Sequence, residues 1–92
     1  MPSIEAMARP DAAKEAAAQP WLDAAHAAHR AGKLDVAARC YRLALKSGED
    51  AATGWNDLGV ALRASGCAAA AAASYRRALA ADPGSAETWS NL

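Results

Sequence analysis

The chain of 92 residues has little of the side-chain material from which β-sheets are built. It contains no Phe, one Ile and two Val, whereas strands favour branched and aromatic side chains that fit a pleated surface. The hydrophobic fraction of 53% does not compensate, because 29 of those residues are Ala, the strongest helix former. We therefore expect an all-α protein of short helices.

The chain also lacks net charge and long apolar segments. Ten basic residues balance ten acidic ones, so the total charge offers no attraction for a phosphate backbone or an anionic membrane surface. The longest apolar run, residues 67–73, is far shorter than the roughly 20 residues that span a bilayer. No signal-peptide pattern opens the sequence. We expect a cytoplasmic protein that binds neither nucleic acid nor membrane.

No catalytic or metal-binding arrangement is evident. Cys40 and Cys67 have no C-x-x-C spacing, and nothing orients a base against either thiol. His26 and His29, with Asp23 one turn earlier, could begin a metal site, but a third ligand is missing and a solvated polar helix face is the simpler interpretation. We expect no enzyme activity, no cofactor and no metal in this chain.

A period of 34 residues organises the sequence. Trp21, Trp55 and Trp89 are separated by that distance, and the same shift superimposes two more aromatic residues, Tyr41 and Tyr75. Aligning residues 18–51 with 52–85 gives six identities that do not involve Ala, namely Trp, Asp, Gly, Tyr, Arg and Leu. Such a period is typical of stacked helical repeats.

Each unit has the pattern of two antiparallel helices. In the second unit, apolar residues recur at i, i+3, i+4 and i+7 on either side of Gly66, which suits a left-handed helix end. Asp50 and Ser85 are predicted N-caps, and Pro20 is predicted to lie in the first turn of its helix. One such pair cannot bury both of its apolar faces, whereas stacked pairs can.

The second unit resembles the tetratricopeptide repeat, whose pattern is W-x2-L-G-x2-Y, then A-x3-F, A and P. The resemblance implies helical hairpins stacked as a right-handed α-solenoid, with small residues where helices cross and aromatic residues filling the space beside them. The structural repeat positions are Trp21, Gly32, Ala37, Tyr41, Ala44, Trp55, Leu58, Gly59, Leu62, Gly66, Ala71, Tyr75, Ala78, Pro83 and Trp89.

The resemblance divides the chain into four segments. Residues 18–51 form a degenerate first repeat, residues 52–85 a second repeat with a strong match, and residues 86–92 the first half-helix of a third. Residues 1–17 form a tail or a partial helix. We expect the loosest packing in the first repeat, and we expect the natural protein to continue with further repeats or a catalytic domain.

By the same resemblance, the first helix of each unit lines a concave groove that receives a peptide or partner protein. The implied groove residues are Leu22, His26, His29, Arg30, Thr53, Asn56, Val60, Arg63, Glu87 and Ser90. The positions where some members clamp a carboxylate hold residues unsuited to that task, so no such clamp is expected. Where others carry an asparagine ladder, the chain has Asp23, Asp57 and Asn91, and only the last agrees.

Three functional hypotheses follow. The first is a protein-interaction module without catalysis. The second is the N-terminal recruiting region of a longer enzyme, such as a protein glycosyltransferase. The third is self-assembly through the incomplete third repeat.

Overall fold

The computed structural model describes residues 10–92, with side chains from residue 16 onward. This part of the chain contains five α-helices and no strand. The helices are α1 (Pro10–Arg30), α2 (Leu34–Ser47), α3 (Ala51–Ala64), α4 (Ala68–Ala81) and α5 (Ala86–Asn91). The first nine residues of the predicted tail lie outside the described residues, and α1 begins immediately after them.

The helix ends follow from local chemistry. Gly32 and Gly66, one period apart, end the first helix of each hairpin with φ of +77° and +89°, a region that other residues rarely adopt. Asp50 and Ser85 cap α3 and α5, because their side-chain oxygens accept hydrogen bonds from the backbone N–H groups three residues later, at 3.0 and 3.3 Å. These turns and both caps agree with the sequence prediction.

The helices pack as successive hairpins. The α1 helix packs on α2 and α3 packs on α4, while contact between α2 and α3 joins the two pairs and α5 packs on α4. The short turns between consecutive helices force neighbours to run antiparallel. The described chain is therefore an all-α helical repeat fold, as the sequence predicted.

Small residues and two tyrosines form the core. Ala25, Ala37 and Ala61 are completely buried where helices approach one another. Tyr41 and Tyr75 are 4% and 2% exposed, so each ring fills the space that its small neighbours leave open. Ala25 lies in the first repeat, at the position where the family pattern has glycine. Its methyl group is buried there.

The tryptophans contribute less to the core than expected. Trp55 is half-buried and packs against the core, but Trp21 and Trp89 are 39% and 58% exposed. The Trp89 indole N–H donates a hydrogen bond to the Pro83 carbonyl at 2.9 Å, which holds this ring at the preceding turn. The tyrosines, rather than the tryptophans, fill the helix crossings.

The prediction for Pro20 was wrong. The α1 helix begins at Pro10, so Pro20 lies in its interior rather than in its first turn. Proline in a helix interior removes one backbone hydrogen bond. The preceding segment, residues 11–19, is rich in alanine, which favours the helical state on that side.

Candidate interaction surface

The predicted groove residues lie on the first helices of the repeats. We call this set of residues the first-helix surface, because α1, α3 and α5 are the first helices of successive repeats. Its described members are Leu22, His26, His29, Arg30, Thr53, Asn56, Val60, Arg63, Glu87 and Ser90. The solvent exposure of these side chains differs widely, and so do the contacts that each could make with a ligand.

The α1 portion of the first-helix surface combines imidazole and apolar groups. The His26 ring lies edge-on to Tyr41, with centroids 5.8 Å apart and an interplanar angle of 67°. His26 is nevertheless exposed, His29 is half-buried, and Leu22 packs partly against the core. Arg30 is exposed at the end of the helix. This portion offers imidazole and guanidinium hydrogen-bond donors together with the apolar side chain of Leu22.

Asn56 connects α3 to α5 through hydrogen bonds. Its amide nitrogen donates to Glu87 Oε1 at 3.4 Å, and its amide oxygen accepts from the Asn91 side chain at 3.0 Å. Arg63 Nη1 donates to the Asn91 backbone carbonyl at 3.1 Å. Asn56 is only 5% exposed, so it orients its neighbours and offers little of itself to a ligand. Arg63 and Glu87 remain exposed.

The remaining predicted residues differ in the same way. Thr53 and Ser90 are exposed, whereas Val60 is half-buried and packs against the core. Val60 therefore adds a partly accessible apolar side chain to the set. The ten residues lie on α1, α3 and α5, and only some of them are accessible.

Asp57 is an important residue that the predicted set did not include. Burial raises the pKa of its carboxyl, and the nearby Glu87 carboxylate adds to the rise. His26, a hydrogen bond from Asn56 and His29 oppose that shift. Asp57 thus interacts with groups on both α1 and α5. Its recurrence one period after Asp23 was the sequence signal that could have identified it.

Tyr41 interacts with both His26 and Asp57. Burial raises the pKa of the Tyr41 hydroxyl to about 12, and the charge of Asp57 contributes in the same direction. The phenol therefore stays protonated throughout the neutral range. The neutral phenol ring packs edge-on against the His26 ring.

Other chemistry is not assembled in the described residues. From residue 16 onward, no group of three or more His, Cys, Asp or Glu side chains is arranged to hold a metal ion. Cys40 is buried and Cys67 is exposed, and both are free thiols. In residues 10–92, no helix is both long and apolar enough to cross a membrane. The surface offers hydrogen bonds, charges and apolar contact.

Comparison with known proteins decides the family. The sequence matches the family model described as tetratricopeptide repeat over residues 22–86, which is most of the chain. The chain belongs to the tetratricopeptide repeat family. Separate comparisons with curated proteins and with solved structures found no match. Tetratricopeptide repeats are generally protein–protein interaction modules and typically non-catalytic scaffolds.

Proposed function

We propose that the first-helix surface is a groove that binds a peptide or a helix of a partner protein, without catalysis. The single observation that carries the proposal is the pair of hydrogen bonds by which Asn56 on α3 joins Glu87 and Asn91 on α5. Asp57 on α3 interacts with His26 on α1 and with Glu87 on α5. A ligand lying across these helices would meet one connected set of polar groups.

The lining supports binding to a peptide backbone and to its side chains. His26 and Arg63 are exposed donors, Glu87 is an exposed acceptor, and the half-buried Val60 provides apolar contact. The Asn56 hydrogen bonds fix α5 relative to α3 before a ligand arrives, and such preorganisation reduces the ordering cost of binding.

Peptides selected from a random display library against the chain provide a direct test. Ser90→Arg places a bulky cation on the exposed part of α5, and Ala73→Arg makes a comparable change at an exposed position of α4, outside the groove. We expect Ser90→Arg to weaken binding of the selected peptides by about tenfold or more and Ala73→Arg by less than about twofold.

Chemical-shift mapping with the same peptides locates their contacts. The proposal predicts perturbation of amide signals in α1, α3 and α5. Perturbation confined to α2 and α4, or equal effects of the two arginine substitutions, would show that the groove is not the binding surface.

A further inference from the structure

A second concave feature lies at the junction of the two repeats, outside the first-helix surface. The cleft has a volume of about 380 Å³, within the range of roughly 300–1,000 Å³ typical of ligand pockets. It lies between the last turns of α2 and the first turns of α3. We call it the junction cleft, and its lining residues are Arg42, Leu45, Lys46, Glu49, Ala51 and Trp55.

The inner walls of the junction cleft are apolar and well supported. Leu45 and Trp55 are both half-buried and pack against the core, so each presents part of its side chain to the cleft. Gly54 has no side chain, and a Cβ atom there would overlap the end of Leu45. The missing side chain lets Leu45 lie close to the α3 backbone. A large apolar side chain of a ligand would therefore contact both Leu45 and Trp55.

Two cations line the junction cleft, and a third lies beside its Trp55 wall. Arg42 and Lys46 are exposed on α2, and the guanidinium of Arg77, from α4, lies 4.7 Å from the centre of the Trp55 ring. We call Arg42, Lys46 and Arg77 the three cations. Glu49 is the one carboxylate in the cleft lining, and α4 contains no acidic residue. The rim is therefore basic although the whole chain is neutral.

We propose that the junction cleft docks an acidic segment of a partner protein, with one large apolar side chain between Leu45 and Trp55. Carboxylates flanking that side chain would pair with the three cations. Charge complementarity supports this occupant, since arginine forms bidentate hydrogen bonds with carboxylates. This second docking site differs from the proposed groove in both position and chemistry.

The same observations disfavour a single-stranded nucleic acid. Base recognition at such sites depends on stacking over an open aromatic face. The Trp55 ring is half-buried, and Arg77 already lies over its ring. An acidic protein segment needs no aromatic stacking, because its apolar side chain would contact Leu45 and Trp55 inside the cleft.

Fluorescence polarisation with a labelled twelve-residue peptide tests the proposal. The probe carries one central Phe flanked by Glu on both sides, and the two matched peptides replace the Phe with Ala or every Glu with Lys. We expect the acidic Phe peptide to bind the whole chain about tenfold or more tightly than either matched peptide. Absence of binding at about 1 mM, or equal binding of the Ala peptide, would overturn the proposal.

Two charge reversals at opposite ends of α2 provide a matched control. Lys46→Glu changes an exposed residue at the cleft, and Lys33→Glu makes the same substitution at the exposed residue preceding α2. We expect Lys46→Glu to weaken the acidic Phe peptide about fivefold or more and Lys33→Glu less than about twofold, with unchanged circular dichroism for both.

Equal losses in the two variants would mean that only the overall charge attracts the peptide, and the site would be refuted. A twelve-nucleotide oligothymidylate serves as the competitor. If it displaces the peptide at equal or lower concentration, the cleft is a nucleic-acid site and the proposed occupant is wrong.

Discussion

Gly59 has no side chain, and this allows α3 and α4 to cross closely. A Cβ atom at Gly59 would lie 2.6 Å from Cε1 of Tyr75, whose ring is enclosed by the core. Gly54 presents a contrasting case, because the atoms nearest to its missing Cβ belong to the end of Leu45. Leu45 is half-buried beside the junction cleft and has room to change rotamer.

These surroundings predict different outcomes for the same substitution. Gly59→Ala should lower the free energy of unfolding by about 1–3 kcal/mol, because the Tyr75 ring cannot move away. Gly54→Ala should cost less, since Leu45 can move and alanine favours a helix interior over glycine by about 0.5–1 kcal/mol. Urea denaturation followed by circular dichroism measures both. A Gly59→Ala protein as stable as the parent would contradict the tight crossing.

Burial of the Asp57 carboxyl destabilises the folded protein when the carboxyl is charged, so the effect on stability depends on pH. Its folded-state pKa is raised above the unfolded value, chiefly by burial, so the folded chain holds this proton more tightly. The resulting stabilisation is fully present below the unfolded pKa of about 3.9 and is lost as the pH rises through the folded pKa. At neutral pH the folded protein therefore contains a partly desolvated charge.

Replacing that charge should stabilise the protein at neutral pH. We expect Asp57→Asn to raise Tm at pH 7 and to change it much less at pH 3, where the native carboxyl is also neutral. Asp23→Asn is the matched control, because Asp23 occupies the same place one period earlier and is exposed. Thermal unfolding at both pH values measures the effect. If the two variants show the same gain at pH 7, burial of Asp57 is not its cause.

Among the described helices, α5 depends most on tertiary contacts for its stability. It has six residues, and isolated helices shorter than about 12 residues are marginal in water. Asn56 and Arg63, both on α3, bond to Asn91 near its end, and Ser85 caps its start. Tertiary hydrogen bonds therefore supply the stability that local propensity does not.

Removing the Asn56 side chain should release α5 selectively. We expect Asn56→Ala to reduce hydrogen-exchange protection in α5 by about fivefold or more, corresponding to a lost hydrogen bond of about 1 kcal/mol. Protection within α4 should change less. Thr53→Ala, one turn earlier and exposed, is the control and should leave α5 unaffected. Equal loss of protection in α4 and α5 would argue against selective docking by Asn56.

The described part of the chain is elongated, with principal extents of 44, 30 and 17 Å. The Cα radius of gyration is 13.8 Å, larger than the roughly 12 Å expected for a compact domain of this size. Elongation leaves more apolar surface uncovered, and Trp89 on α5 and the following Leu92 are 58% and 51% exposed. Neighbouring exposed apolar residues favour association with other molecules.

Self-association of the chain is therefore a prediction at this scale. The light-scattering mass should rise with concentration, and combining Trp89→Ser with Leu92→Ser should keep the chain monomeric. Val36→Ser is a suitable control, because Val36 is also a large hydrophobic residue and is 46% exposed, but lies on α2. A chain of constant monomer mass over a wide concentration range would exclude this form of assembly.

The sequence by itself determined the repeat, the fold class and several helix ends. These features depend on short-range chemistry: the preference of alanine for helices, the positive φ available to Gly66, and the capping oxygens of Asp50 and Ser85. The family pattern also located the small residues at the helix crossings. The main local error concerned Pro20, because the alanine-rich residues before it extend α1 past the place where a helix start was predicted.

Only the tertiary structure decided which of several equivalent positions are buried and what surrounds them. Trp21, Trp55 and Trp89 occupy the same place in the period, yet only Trp55 packs against the core. The environment of Asp57 and the walls of the junction cleft likewise involve more than one helix. A repeating sequence fixes what each helix carries, whereas burial depends on which neighbours cover it, and those neighbours differ along the stack.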